Sequence, residues 1–189
     1  MSRKNIWAPW RLQYLDRLKD ELDETDPKVE RGERPFTDDE TPTFLTEYWV
    51  KPELDAEHFV VLRDEYGFAC LNRYPYSNGH LVVALGDPRP RLMDYEAEQR
   101  ASLWRLVDRA TDLVERSLNP QGINIGVNQG RAAGAGVPTH LHVHVVPRWG
   151  GDTNFITVVG DIRVVPESLE SMYQRYAATV DAEENRGKS

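Results

Sequence analysis

The sequence predicts an α+β fold: an antiparallel five-stranded sheet with one long helix and helices towards the termini. Three observations carry this. Short apolar runs are separated by turn signals. One amphipathic stretch, residues 92–118, has helical spacing. In Thr139–Pro147, histidine alternates with Leu141, Val143 and Val145, which is the period of a half-buried strand.

In chain order, Ile6–Leu15 is aromatic-rich and suggests an arm docked on the body or on a second subunit. Leu12, Leu15 and Leu18 follow at helical spacing. Residues 20–41 are mostly acidic and read as a solvated loop. Phe59–Leu62 and Phe68–Leu71 read as strands joined by a hairpin turn at Asp64–Gly67. After the turn-rich Tyr74–Gly79, His80–Leu85 is a third strand, closed by the prolines of Asp87–Pro90.

Within 92–118, Leu103, Leu106, Val107, Ala110, Leu113, Val114 and Leu118 share one face. Asn119-Pro120 stops that helix. Ile123–Asn128 is a fourth strand, and a loop rich in Gly and Ala, residues 129–139, leads to the histidine strand. Phe155–Val159 and Ile162–Val165 read as extended, and a last helix starts around Pro166. The boundaries follow: arm, short helix and acidic loop at 1–45, main domain at 46–182, disordered tail at 183–189.

Bulk properties narrow the function. A chain of 189 residues is most simply one domain with a sizeable core. A net charge of -8 and a pI near 5.2 argue against a nucleic-acid partner. One cysteine fits a reducing cytoplasm. Met1–Asn5 lacks the apolar stretch of a signal peptide, and no apolar run is long enough to span a bilayer. The expectation is a cytoplasmic protein with no membrane partner.

Three of the five histidines fall on one face of one strand, beside a glycine-rich loop. A solvated polar face and a zinc site built on His-x-His are the alternatives. Cys70 alone excludes a cysteine cage, and no acidic residue follows the triad at close spacing. The favoured reading is a catalytic site, because imidazole is both nucleophile and proton carrier near neutral pH.

His140-Leu141-His142-Val143-His144-Val145-Val146 resembles the signature of the histidine triad superfamily. Other segments resemble the same family: Leu71–His80, with Asn72 eight positions before His80; Asn128-Gln129-Gly130; Pro147–Asp152; and the Trp7–Arg11 arm, which is similar to bacterial relatives of diadenosine tetraphosphate phosphorylases. The resemblance implies the HIT-like fold and attack on the α-phosphorus of a dinucleoside polyphosphate by His142. A nucleotidyl-histidine forms and is transferred to water or phosphate.

By the same resemblance His140 donates to phosphate oxygens, and His144 and His80 form a polar chain behind the nucleophile. Asn72 pairs with ribose hydroxyls, or else caps a turn. Asn128 holds an α-phosphate oxygen or the leaving group, or bonds its own backbone. Gly130, Gly134 and Gly136 bring backbone N–H groups to phosphate. Arg148 binds distal phosphates or lies on the surface, Trp149 stacks on a base or closes a subunit interface, and Arg11 is a more remote candidate for the polyphosphate.

No protein-bound metal is implied, although Mg2+ can accompany the polyphosphate. A homodimer formed by joining sheets is implied. The chain departs from the pattern before the triad: Ala133–Val137 offers no polar side chain, and Thr139 points away from the histidine face. Leaving-group assistance and acceptor choice are thereby open. A nucleoside phosphoramidase, or a nucleotide-binding regulator with weak activity, are the alternatives.

Overall fold

The computed structural model describes residues 43–152, 159 and 165–187. The chain divides between Asp39 and Glu40, and everything described belongs to the second unit, Glu40–Ser189. The arm with Arg11, the short helix at Leu12–Leu18, the acidic loop and the extended runs at 155–158 and 162–164 lie outside the described residues. Val159 is helical rather than extended.

The elements are α1 (Phe44–Val50), β1 (Val60–Arg63), β2 (Gly67–Leu71), β3 (Leu81–Leu85), α2 (Ala97–Leu118), β4 (Gly122–Val127), β5 (His142–Arg148) and α3 (Leu169–Gly187). The five strands form one sheet in the order β1-β2-β3-β5-β4, with every neighbouring pair antiparallel.

The hairpin between β1 and β2 is set by Asp64. Its carboxylate accepts from the N–H groups of Tyr66 and Gly67, both at 2.9 Å. A bulge in β1 pairs Val60 with Cys70 but Leu62 with Ala69, so these two side chains enter different cores.

One face of the sheet packs on α2 and α3. Leu81, Val83, Leu141, Val143 and Val145 meet Leu103, Leu106, Leu113, Met172 and Tyr176 there. The other face carries Val60, Phe68, Cys70, Val82 and Ala84, covered by Leu45 and Tyr48 of α1. Because α1 begins at Phe44 and buries Leu45, it belongs to the same body as the sheet rather than to the segment before residue 46. β4 is an exposed edge.

The long helix departs from its reading at one end. Residues Leu92–Asp94 form a separate 3-10 turn, and α2 starts only at Ala97. Tyr95 breaks the helix because its backbone is extended and its buried hydroxyl donates to the Asp87 carbonyl at 2.9 Å. Gln99 then accepts from the Glu96 N–H at 2.9 Å, and Asn119 closes the helix with a left-handed φ of 45°.

The histidine strand begins at His142 rather than at Thr139, because the Leu141 N–H donates to Arg89 of the β3–α2 connection instead of joining the ladder. At the C-terminus, helical backbone continues to Gly187, past residue 183 where a disordered tail was expected. An ion pair between Arg116 of α2 and Glu183, at 2.8 Å, ties that turn down.

Candidate active site

Pairing places His142 opposite Ala84 and His144 opposite Val82 on β3. On the other side His144 faces Gly126 of β4. His80 lies just before Leu81, which pairs with Val145. His80, His140, His142 and His144 are all buried.

The hydrogen bonds fix the tautomers. His142 Nδ1 lies 2.9 Å from the His140 carbonyl oxygen, which can only accept. Nδ1 therefore carries the proton and Nε2 keeps its lone pair. His80 Nδ1 is met by the Tyr76 N–H at 3.1 Å and by the Asn72 amide nitrogen at 3.3 Å. It is an acceptor, so His80 Nε2–H donates to His144 Nδ1 at 3.0 Å. The His142 and His144 rings meet edge to face, 4.9 Å between centroids. Tyr76 lies over both His80 and His144, at 4.7 and 5.5 Å.

Burial decides the charge state. Desolvation pushes the His142 and His140 imidazoles below their ordinary range, and it pushes His144 down to about 4, with the neighbouring His142 adding to the effect. All three are neutral at pH 7. A neutral His142 with a fixed Nδ1–H keeps its lone pair on Nε2, the state that a nucleophilic imidazole requires.

His140 departs from its expected role. Its Nε2–H donates to the Leu85 carbonyl at 2.7 Å, and its Nδ1 accepts from the Thr43 hydroxyl at 3.1 Å. Both nitrogens are thus engaged by protein and the side chain is fully buried, so it has no donor for a phosphate oxygen. Instead it anchors the carbonyl that holds His142. Thr43 also accepts from the Thr46 N–H at 3.2 Å as the cap of α1.

Asn72 caps a turn, accepting from the Tyr74 N–H at 2.9 Å, while its amide nitrogen faces His80. It also lines a cavity of about 360 Å³ on the α1 side of the sheet. Phe44, Tyr48 and Tyr74 give this cavity aromatic walls, and Glu47, His58 and Arg73 complete it. Sequence reading missed it. Phe44 and Tyr48 are distant in sequence from the triad, and Tyr74 and Tyr76 read only as turn residues.

Asn128 follows Val127, which pairs with Val143, so it sits beside His142 at the start of the glycine loop. Its side-chain amide has no hydrogen-bond partner among the described residues. The loop itself uses some of the N–H groups expected to face phosphate: those of Ala133, Gly134 and Ala135 donate to carbonyls within the loop. Gly130 and Gly134 adopt φ of 86° and 89°, which close a 3-10 turn at Arg131–Ala133. The N–H groups of Gly130 and Gly136 have no partner among the described residues.

Arg148 and Trp149 are placed elsewhere. They lie at the far end of β5, roughly 20 Å along the strand from His142 at about 3.3 Å per residue. The Arg148 guanidinium bonds Asp152 at 2.6 and 2.8 Å and Asn124 at 2.8 Å, so its donors are engaged in shaping the segment after β5. The Trp149 N–H joins the same carboxylate at 3.2 Å. Neither side chain reaches the His142 ring. Among the described residues, no group of three His, Cys, Asp or Glu is arranged to hold a metal ion.

The HIT domain family matches residues 53–151, a span that holds all four site histidines, Asn72 and Asn128. An AP-4-A phosphorylase of Mycobacterium tuberculosis is 36% identical over 167 residues, covering 88% of this chain and 78% of the relative. A bis(5'-adenosyl)-triphosphatase of Dictyostelium discoideum is 31% identical over 104 residues, covering 55% of this chain and 69% of the relative. Among solved structures, a hypothetical histidine triad nucleotide-binding protein of Sulfolobus tokodaii superposes with a TM-score of 0.58 at 25% identity, covering 72% of this chain and 92% of that one.

Proposed function

The chain belongs to the HIT domain family, and from that premise we propose that it is a nucleotidyl hydrolase or transferase that cleaves dinucleoside polyphosphates, with inorganic phosphate as the acceptor. The observation that carries this is His142. Its Nδ1–H is held on the His140 carbonyl, burial keeps the ring neutral, and its Nε2 lone pair is left for chemistry.

His142 Nε2 forms a bond to the α-phosphorus as the bond from phosphorus to the bridging oxygen breaks. The nucleoside polyphosphate leaves as an anion, and the nucleotide stays on His142, whose Nδ1–H still bonds the His140 carbonyl. A phosphate oxygen then attacks phosphorus and the N–P bond breaks. Diadenosine tetraphosphate yields ATP and ADP in this way. His80 and His144 hold the surroundings of the nucleophile as a bonded pair, and Asn128 serves the α-phosphate.

The cavity takes one nucleoside end. Its 360 Å³ lies near the lower limit of small-molecule sites, about 300 Å³, so one nucleoside fits and a whole dinucleotide does not. Phosphate rather than water as acceptor is supported by the relative whose match spans 88% of this chain. Magnesium arrives with the polyphosphate. The same reading puts the protein in the cytoplasm, without membrane or nucleic-acid partners. It also makes it a homodimer through the β4 edge, where Ile125 is exposed and Gly122 and Gly126 leave open space.

The test is the product pattern from diadenosine tetraphosphate, with and without inorganic phosphate, for wild type and His142→Ala. ADP plus ATP only with phosphate supports this reading. AMP plus ATP in either case moves the acceptor to water. Full turnover by His142→Ala refutes the mechanism, since loss of a nucleophile costs about 10^4-fold or more.

A further inference from the structure

His80 and His144 form a bonded pair beside His142, with His80 Nε2–H donating to His144 Nδ1 at 3.0 Å. The direction of that bond depends on a backbone group. The Tyr76 N–H meets His80 Nδ1 at 3.1 Å, and an amide N–H only donates. A proton arriving on His144 Nδ1 would set donor against donor. His80 could relieve this only by moving its own proton to Nδ1, against the Tyr76 N–H. The pair therefore holds together in one protonation state, with both rings neutral and the His144 proton on Nε2.

Tyr76 also supplies a cover. Its ring centroid lies 4.7 Å from that of His80 and 5.5 Å from that of His144, tilted by 35° to each. Tyr76 is 47% exposed, while His80 and His144 are 0% and 8% exposed, so the ring stands between the pair and water. The turn that carries this ring is clamped on two sides. The Ser77 hydroxyl donates to the Pro147 carbonyl of β5, and the Tyr176 hydroxyl of α3 donates to the Gly79 carbonyl at 2.7 Å. A hydrated imidazole titrates near about 6.5, and one kept from water stays neutral well below that.

We propose that Tyr76 is a positioning residue that keeps water from the His80–His144 pair and so sets the acidic limit of turnover. The second half rests on the reading of His142 as the nucleophile. The His142 and His144 rings meet at 4.9 Å, so a break in the pair frees the ring against which His142 rests. Among the described residues, the other groups around His144 bring no unpaired charge. Val82 of β3 and Gly126 of β4 flank it, and Cys70 lies beyond Val82 with burial pushing its thiol up to about 12. Arg148, four residues further along β5, is paired with Asp152.

Histidine ring titration by NMR, on the whole protein without substrate, tests this in wild type, Tyr76→Phe and Tyr76→Ala. Phenylalanine removes only the hydroxyl and alanine removes the ring, and both keep the backbone N–H on His80. In Tyr76→Ala the His144 midpoint should rise from about 4 towards 6.5, by about one unit or more. Tyr76→Phe should keep the wild-type midpoint. The acidic limb of kcat for diadenosine tetraphosphate should move up in the alanine variant alone. KM should stay within about threefold, because Tyr76 does not line the cavity.

A His144 midpoint left in place by alanine, or moved as far by phenylalanine, overturns the proposal. So does an acidic limb that stays while the midpoint moves. If the alanine variant does not fold, wild type decides. A covered His80 Nε2–H should exchange slowly with water at pH 7, and exchange too fast to detect the proton overturns the cover. Absence of turnover in wild type refutes the reading of His142, and the titration still decides whether Tyr76 guards the pair.

Discussion

Replacing Thr43 by valine removes one hydroxyl and keeps the branched shape. That hydroxyl accepts from the Thr46 N–H at 3.2 Å and donates to His140 Nδ1 at 3.1 Å. Loss of the cap costs about 1 kcal/mol. Leaving the His140 nitrogen buried without a donor costs about 1–2 kcal/mol more. Valine fills the same volume, so no cavity contributes, and the sum is about 2–3 kcal/mol.

Urea unfolding reads this directly, with an unchanged denaturant slope showing that only stability moved. Thr43→Ser keeps both hydrogen bonds and should stay within about 0.5 kcal/mol of wild type. Turnover should fall in the valine variant and return in serine, because the His140 ring anchors the carbonyl that holds His142 Nδ1. A loss below about 0.5 kcal/mol in Thr43→Val refutes the hydrogen-bond accounting. So does a serine variant as damaged as valine, since the methyl rather than the hydroxyl would then be responsible.

Burial lowers the proton affinity of His140, His142 and His144, the last to about 4. Unfolded imidazoles take up protons below about 6.5 while these resist, so the unfolded state binds more protons in that window. Stability is thus full above pH 6.5 and falls as pH drops towards 4; a urea midpoint unchanged between pH 7 and 5 would contradict this. For the same reason the acidic limb of turnover should lie below 6.5, and a limb at or above that value would show that His142 is not desolvated. Gly86→Ala drives a methyl into the Trp49 indole, which is stacked on Phe68; an overpacking cost of about 1–3 kcal/mol in unfolding assays is expected, and a neutral result means that α1 moves freely. Tyr176→Phe removes a buried bond of 2.7 Å to the Gly79 carbonyl and should cost about 1–2 kcal/mol, with no change if the carbonyl finds water.

Much of the architecture was legible in the sequence because local patterns carry it. Alternation at Leu141, Val143 and Val145 named the buried face of β5, and the helical stripe from Leu103 to Val114 named the core face of α2. The histidine cluster was legible too, since three histidines at period two on an apolar run mark one face, and all three are buried there. What sequence could not supply was the partner of each polar atom. His140 has the same spacing as His142 and His144, yet the fold spends both of its nitrogens on Thr43 and the Leu85 carbonyl. Arg148 sits six residues from His142, yet the extended strand carries it away and Asp152 takes its donors.

The cavity on the α1 side of the sheet joins Phe44, His58 and Asn72 from three separate segments. Their meeting depends on α1 docking across one face of the sheet. Periodicity reports which side of an element is buried, because burial repeats with the backbone. Hydrogen-bond partners and cavity walls come from distant segments, and only the packed chain brings those together.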